Sequence, residues 1–191
     1  MLVVMVEQSA RERMITTAAR LFYAHGVHAV GVDRIVAESG VAKATLYQHF
    51  ASKDDLVAAC LSAHIEHWQR TIAGPACARP GSAAARVGAV FDLLIPGLAS
   101  SAYRGCPFIN TAAEYPDRDS PVASALGTQR ANVRALFARL VSDLPAAHRL
   151  RCTDQLVLLY DGVLVSAQYR DAPTMARAAK RAAQVLVETK A

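Results

Sequence analysis

Apolar residues recur at intervals of three and four along almost the whole chain, and this period limits the possible fold more than any other feature. Alanine, leucine and arginine, which all favour helices, dominate the sequence, whereas runs of β-branched residues are short. No segment competes convincingly as a strand, because strict alternation of apolar and polar residues is lacking. The pattern therefore predicts an all-α protein of about nine helices.

Composition narrows the class of protein. The 191 residues are 53% hydrophobic, which is enough to bury a core, and the net charge of +5 suits a polyanionic partner as well as many other ligands. Four widely spaced cysteines without a Cys-x-x-Cys pair argue against a zinc ribbon and a disulfide framework. No phosphate-binding loop, nucleophile elbow or zinc-protease motif is present. We expect neither an enzyme nor a bound metal or cofactor.

The opening stretch MLVVMV bears on localisation. It is too short for a membrane span, and it lacks the basic start of a signal peptide. A cytoplasmic protein without a membrane partner is therefore expected.

Glycine and proline residues divide the helical pattern into segments. Residues 73–82, AGPACARPGS, form the clearest predicted break because they contain two prolines and two glycines. The predicted helices cover residues 9–25, 32–39, 43–50, 52–72, 83–100, 122–144, 147–169 and 174–188, with a punctuated stretch at 103–121. We assign DNA binding to a head of residues 1–52 and regulation with dimerisation to residues 53–191.

Two short helices joined by a glycine turn, DRIVAESG-VA-KATLYQHF, form a helix-turn-helix pattern. In such a unit the first helix braces the second, and the second enters the major groove of DNA. Leu46 and Phe50 lie on the inner face of the second helix, with Val41 just ahead of it. The remaining side chains therefore form a polar outer surface.

The residue types on that outer surface suit a DNA duplex. Lys43 and Gln48 can reach guanine and adenine edges, and the small Ala44 and Thr45 let the helix sit deep in the groove. Phosphate contacts are expected from three further residues, Tyr47, His49 and Lys53, the last at a helix N-terminus. The structural alternative is that Tyr47 and His49 only pack between helices and that the lysines are solvated charges.

Residues 11–56 resemble the DNA-binding head of the TetR family of transcriptional regulators. The resemblance lies in AARLFYAHGVHAVGVDRIVAESGVAKATLYQHFASKDDL, with Gly26, Gly40, Tyr47, Phe50 and Lys53 at the matching positions. It implies a homodimer that binds operator DNA and responds to a small molecule, most often as a repressor. The chain departs from the family at Gly31 and Ala42, where hydroxyl residues are common, so phosphate contacts by those hydroxyls are not carried over.

The segment 155–169, QLVLLYDGVLVSAQY, is apolar nearly all the way round, so both of its sides need to be buried. One side can face its own domain and the other a second copy. With the small residues of the final helix it would form a four-helix dimer interface. The predicted interface residues are Leu158, Gly162, Val165, Ala178, Ala182 and Val185.

The stretch YRGCPFINTAAEY, residues 103–115, is the predicted effector site. Aromatic rings would form apolar walls and an amide or carboxylate would orient a mainly apolar ligand. The residues assigned to this site are Trp68, Phe91, Tyr103, Phe108, Asn110, Glu114, Tyr115 and Phe137. Core packing and capping are the structural alternative for each of them.

Several other interpretations remain open on sequence alone. Cys60, His64 and His67 share one helical stripe and suggest a metal sensor, and Cys106 suggests a redox sensor, although buried structural roles are commoner for such residues. An activator of the same fold is a further alternative, and an enzyme with a basic helical head is a remote one. The predicted coupling between DNA and effector passes along the fourth helix, which starts at Ser52.

Overall fold

A computed structural model describes residues 8–169 and 171–189, and the opening MLVVMV stretch lies outside them. These residues form ten α-helical segments and no strand, which confirms the all-α fold. A π-helical turn joins the fourth and fifth segments, so nine separate helices result. None of the described helices has the length and apolarity needed to cross a membrane.

The helices follow one another with short connections. They are α1 (Ala10–His25), α2 (Val32–Ser39), α3 (Lys43–His49), α4 (Lys53–Trp68), the π-turn (Gln69–Ala73), α5 (Gly74–Ala78), α6 (Ala83–Leu98), α7 (Pro107–Glu114), α8 (Pro121–Leu140), α9 (Ala146–Ser166) and α10 (Ala172–Glu188). Helix α1 begins at a reciprocal capping box, in which Ser9 accepts from the Glu12 N–H and the Glu12 carboxylate accepts from the Ser9 N–H.

The predicted break at 73–82 is wrong in its first half. Gly74–Ala78 is helical and continues from α4 through the π-turn, and the chain leaves the helical conformation only after Ala78. Pro75 directly follows the π-turn, in which the Gly74 N–H donates to the Gln69 carbonyl, so its missing N–H falls where the helical hydrogen-bond pattern changes. Helix α7 lies within the punctuated stretch 103–121.

Contacts divide the chain into two compact units. Among the described residues, the head unit contains those up to His64 together with Pro107–Leu126, and the body unit contains Ile65–Cys106 and those from Gly127 onward. The assignment of DNA binding to residues 1–52 and of regulation with dimerisation to residues 53–191 stays a prediction. Each unit has its own apolar core.

The head core is formed by α1–α4, α7 and the start of α8, with Met14, Leu21, Ile35, Leu46 and Leu56 fully buried. The body core is built around Val87, Phe91, Phe137, Leu140 and Leu156. In the body unit, α10 packs against α6 and α9.

Candidate nucleic-acid interface and regulatory core

The turn between α2 and α3 sets the direction of α3. Gly40 ends α2 in the left-handed conformation, with φ 65° and ψ 24°, which glycine adopts without steric cost. Val41 then turns inward, while Leu46 and Phe50 anchor α3 in the head core. Neither Gly31 nor Ala42 provides a side-chain cap, in agreement with the sequence.

The outer face of α3 carries the residues predicted to meet DNA. Lys43, Ala44, Tyr47, Gln48 and His49 are exposed, and Thr45 is partly exposed. Tyr47 is 50% exposed although its ring is large and apolar, so packing within the head does not explain its position. The structure thus brings these side chains to one accessible surface, and their contact with DNA stays a prediction.

Lys43 has a partner in the protein. Its ammonium lies 2.7 Å from the Asp33 carboxylate of α2, and this hydrogen bond raises the pKa of Lys43. Both side chains are well exposed, and surface ion pairs of this kind contribute little to stability. Lys43 can therefore exchange Asp33 for a base edge at small cost.

Lys53 differs from the expectation of a solvent-facing charge. Its Nζ donates to the Val27 carbonyl at 2.7 Å and lies 5.9 Å from the centre of the Phe22 ring. Burial lowers the pKa of this ammonium. Lys53 thus ties the N-terminus of α4 to the turn between α1 and α2, and phosphate contact would be an additional role.

The same turn is held from its other side by Glu114, at the end of α7. The two carboxylate oxygens accept the backbone N–H groups of Val27 at 2.9 Å and His28 at 2.8 Å. The His28 ring lies 2.8 Å from the Glu114 carbonyl through Nε2 and stacks on Tyr115. We call this group, residues 26–28 with Lys53, Asp54, Glu114 and Tyr115, the polar junction.

Tyr115 completes the polar junction. Its hydroxyl donates to the Asp54 carboxylate at 2.8 Å, and burial together with this hydrogen bond raises the pKa of Tyr115. The contacts of Glu114 and Tyr115 favour positioning of the DNA-binding head over contact with an effector. Sequence reasoning missed this role, because the contacting residues are more than sixty positions apart.

The residues assigned to an effector site fall into both units. Trp68, Phe91 and Phe137 are buried in the body core. Tyr103 packs against this core, and its hydroxyl donates to the Leu164 carbonyl at 2.6 Å. The other residues of the set belong to the head unit and are Phe108, Asn110, Glu114 and Tyr115. Phe108 packs against the head core and contacts the His64 ring edge to face.

A hydrogen bond in the body core was also missed by the sequence. The Trp68 indole N–H donates to the Tyr160 hydroxyl at 3.0 Å, and both side chains are buried. Burial raises the pKa of Tyr160, so its hydroxyl stays neutral. Tyr160 also contacts the edge of Phe137, with ring centres 5.9 Å apart.

The residues predicted for dimerisation lie on the surface of the single chain. Leu158, Val165 and Val185 are 67%, 40% and 60% exposed, and Gly162 and Ala182 are also exposed. Ala178 is partly buried. The opposite side of α9 packs into the body core, and the exposed residues in the second half of the helix, Leu158, Gly162 and Val165, form a largely apolar strip.

The cysteines show no sensing arrangement in the part of the chain that the structure describes. None of the four cysteines forms a disulfide, and no group of three or more His, Cys, Asp or Glu side chains among these residues is placed to hold a metal ion. Cys60 lies in the head core, where its thiol approaches the Ile15 carbonyl at 3.5 Å. A metal ligand must be a thiolate, whereas burial raises the pKa of Cys60 to about 12.

We predict that Cys60 resists alkylation in the folded protein. Its thiolate is scarce at neutral pH because of the raised pKa, and the sulfur is buried. Cys77 is partly exposed and should react first. Peptide mass spectrometry after timed treatment with iodoacetamide measures both rates, and modification of Cys60 ahead of Cys77 would contradict the assignment.

Comparison with known proteins agrees with this geometry. The description "Bacterial regulatory proteins, tetR family" matches residues 14–60, and "Tetracyclin repressor-like, C-terminal domain" matches residues 83–184. The chain is similar in structure to SCO4454, a TetR-family transcriptional regulator from Streptomyces coelicolor. The TM-score is 0.83 at 34% identity, over 93% of this chain and 94% of that one.

Curated relatives match mainly in the head. The chain is 40% identical over 57 residues to the HTH-type transcriptional activator FasR of Mycolicibacterium smegmatis, covering 30% of this chain and 26% of FasR. It is 34% identical over 74 residues to the HTH-type transcriptional regulator LmrA of Bacillus subtilis, covering 37% of this chain and 39% of LmrA. The matches thus span less than half the length of these relatives.

The second family description covers more than half of the chain, and SCO4454 is similar over nearly its full length. Regulators of this family bind operator DNA as dimers and are not enzymes. The match to the family description and the similarity to SCO4454 show that the chain belongs to the TetR family of bacterial regulatory proteins.

Proposed function

We propose that this protein is a ligand-responsive transcriptional regulator, and most simply a repressor that a small molecule releases from a palindromic operator. The observation that carries the proposal is the exposed polar face of α3, set on a buried apolar face within a helix-turn-helix. A helix of this kind fits the major groove. The family membership supports the same function.

In this proposal α3 supplies both base and phosphate contacts. Lys43 and Gln48 read base edges while Ala44 and Thr45 allow close approach. Tyr47 and His49 contact phosphates, and Lys53 adds positive charge at the start of α4. The polar junction holds the turn between α1 and α2, on which the orientation of the helix-turn-helix depends.

Dimerisation and effector binding belong to the body unit. Two copies would join through the exposed apolar residues of α9 and α10, so that two heads occupy successive major grooves. The effector would bind in the body core near Trp68 and Tyr103, and would lower operator affinity by preferring the state that does not bind DNA. The site of action would be the cytoplasm.

We expect Lys43→Ala to relax base preference and Lys53→Ala to weaken binding to every sequence. Loss of a guanine contact costs about 1–3 kcal/mol at one base position, whereas loss of a phosphate contact lowers the salt dependence by about one counterion. Fluorescence anisotropy on the DNA flanking the gene and on random duplex, at several salt concentrations, measures both effects.

Lys180→Ala is the matched control for the loss of one positive charge. Lys180 lies on α10, where it pairs with Asp92 of the body unit. It should leave base preference unchanged. Equal losses on specific and random duplex for Lys43→Ala would remove the base-reading role.

Activation of transcription is the second candidate function, because FasR, which matches the head at 40% identity, is named an activator. The two functions differ in outcome and not in the DNA contacts. Transcription in vitro from the bound promoter distinguishes them, since a repressor lowers the yield of transcript and an activator raises it.

A further inference from the structure

Gln129 of α8 is buried in the body unit with one polar atom unsatisfied. The residue is 6% exposed, and its Oε1 has no hydrogen-bond partner among the described residues. Among the described residues of the body core, Thr153 is the other buried polar side chain without an aromatic ring, and it donates to the Arg149 carbonyl at 2.8 Å. Gln129 is therefore an exception within its own core.

An unpartnered amide oxygen in an apolar core is unfavourable, because burial removes its hydrogen bonds to water and no protein group replaces them. Methionine has nearly the same length and shape, and it would fill the same space without that cost. The fold alone thus gives no reason for an acceptor at this position. A bound molecule that donates a hydrogen bond would provide one.

The surroundings of Gln129 indicate what such a molecule is like. Val133 and Leu136 lie on the same face of α8, one and two turns further along, and both are buried. The next residue, Arg130, forms an ion pair with Asp161 of α9, which directly follows Tyr160. This stretch of α8 therefore lies beside the stretch of α9 that carries the Tyr160 hydroxyl.

Tyr160 offers the complementary group. The Trp68 indole can only donate, so in their hydrogen bond the Tyr160 oxygen is the acceptor, and its own proton is left for a second partner. Burial raises the pKa of Tyr160, which marks a region that disfavours anions. The buried polar side chains in the described body core are uncharged, so none of them could neutralise the charge of an ionic ligand.

We propose that Gln129 Oε1 is the acceptor that orients the effector in the body core, and that the effector is a neutral, mainly apolar molecule with an O–H or N–H donor. Tyr160 contributes a donor to the same ligand. The inference rests on the proposed effector response, and it adds the ligand class and a residue that determines specificity.

Three compact probes on one apolar ring test this chemistry. Cyclooctanol donates and accepts a hydrogen bond, cyclooctanone only accepts, and cyclooctanecarboxylate is an anion. Trp68 is the one tryptophan of the sequence, and it donates to Tyr160, so its fluorescence reports on this core. The alcohol and the carboxylate do not absorb where tryptophan is excited selectively, and the weak absorption of the ketone there is corrected with a titration of free tryptophan.

In the wild-type protein we expect cyclooctanol to bind about threefold to tenfold more tightly than cyclooctanone, which is the effect of one hydrogen bond, and the carboxylate to bind least. Gln129→Met should abolish the preference for the alcohol, while the thermal midpoint of the protein without probe stays equal or rises. Tyr160→Phe should lower the affinity for cyclooctanol and for cyclooctanone by the same factor, because both can accept a hydrogen bond from the Tyr160 hydroxyl. Thr153→Val, a substitution of a satisfied core residue, should lower the thermal midpoint and keep the preference.

Two results would overturn the proposal: no saturable binding of cyclooctanol by the wild-type protein, or an unchanged alcohol preference in Gln129→Met. A site that holds only water predicts the first of these. Operator binding is measured in parallel, so that ligand binding at Gln129 and the effect of the ligand on operator affinity are tested separately. Binding through Gln129 without any change in operator affinity would remove the induction mechanism and leave the ligand site in place.

Discussion

Gly26→Ala is expected to destabilise the head unit by about 3–5 kcal/mol, through backbone strain and loss of charge-assisted hydrogen bonds. Gly26 has φ 88° and ψ 156°, a conformation essentially restricted to glycine. An added Cβ would also lie 3.1 Å and 3.4 Å from the two carboxylate oxygens of Glu114. Displacing that carboxylate removes the acceptor from the Val27 and His28 N–H groups.

Urea unfolding followed by circular dichroism measures the loss, and hydrogen exchange at residues 27 and 28 locates it. Gly40→Ala is the matched control, because Gly40 has φ 65° with no heavy atom within 4 Å of the added Cβ. It should cost only about 1–2 kcal/mol from the left-handed backbone. Equal costs at both glycines would show that Glu114 does not contribute.

A double-mutant cycle isolates the contact with Glu114. Glu114→Ala alone leaves two N–H groups without their acceptor and should be destabilising. Adding Gly26→Ala to it should then cost less than in the wild-type protein, because the clash is gone and only the backbone strain remains. Additive effects would contradict the geometry of the junction.

Val165→Asp is expected to separate the dimer and to lower operator affinity by at least about 100-fold, since placing an unpaired charge at the centre of an apolar interface costs several kcal/mol. Val165 is 40% exposed in the single chain and lies on α9 with Leu158, which is 67% exposed. A second copy would bury both residues, and an unpaired carboxylate would then have to be desolvated. The folded monomer itself should persist, because the side chain is on the surface.

Analytical ultracentrifugation at micromolar concentration measures the change in mass. Val165→Ala removes apolar area without adding charge and should weaken the dimer only slightly. Ser142→Asp, at an exposed position after α8, controls for one added negative charge. A wild-type monomer, or tight operator binding by monomeric Val165→Asp, would refute the proposed interface.

Local signals in the sequence predicted the helix-turn-helix well. Helix α2 ends at Gly40, and α3 begins directly after Val41 and Ala42, as the pattern indicated. These boundaries follow from the left-handed conformation of Gly40 and from the spacing of Leu46 and Phe50. Both signals are local, because they involve residues that are close together in the sequence. The exposed face of α3 follows from the same spacing.

Contacts between distant residues could not be predicted in this way. The stretch 103–115 predicts an effector contact for Glu114 because a carboxylate among aromatic residues can orient a ligand, and nothing local shows that Val27 and His28 meet it. The position of the Lys53 ammonium depends on the Val27 carbonyl for the same reason. Gln129 looks like any polar helix residue until its burial is known.

The helix running through Pro75 shows a third kind of failure. Two prolines and two glycines within residues 73–82 indicated a loop, but the π-turn before Gly74 lets the first proline begin a new helical turn. Sequence propensity does not register such local changes of winding.

The polar junction has a consequence for protein engineering. Chimaeric regulators are made by joining the DNA-binding head of one family member to the regulatory part of another, and residue 52 would be the natural place to cut this chain. Such a cut would leave behind Glu114, which accepts the Val27 and His28 N–H groups, and Lys53, which donates to the Val27 carbonyl. A transplanted head should therefore recognise its own operator well only when the recipient is given the α7 segment as well, or at least an acidic residue at the position of Glu114.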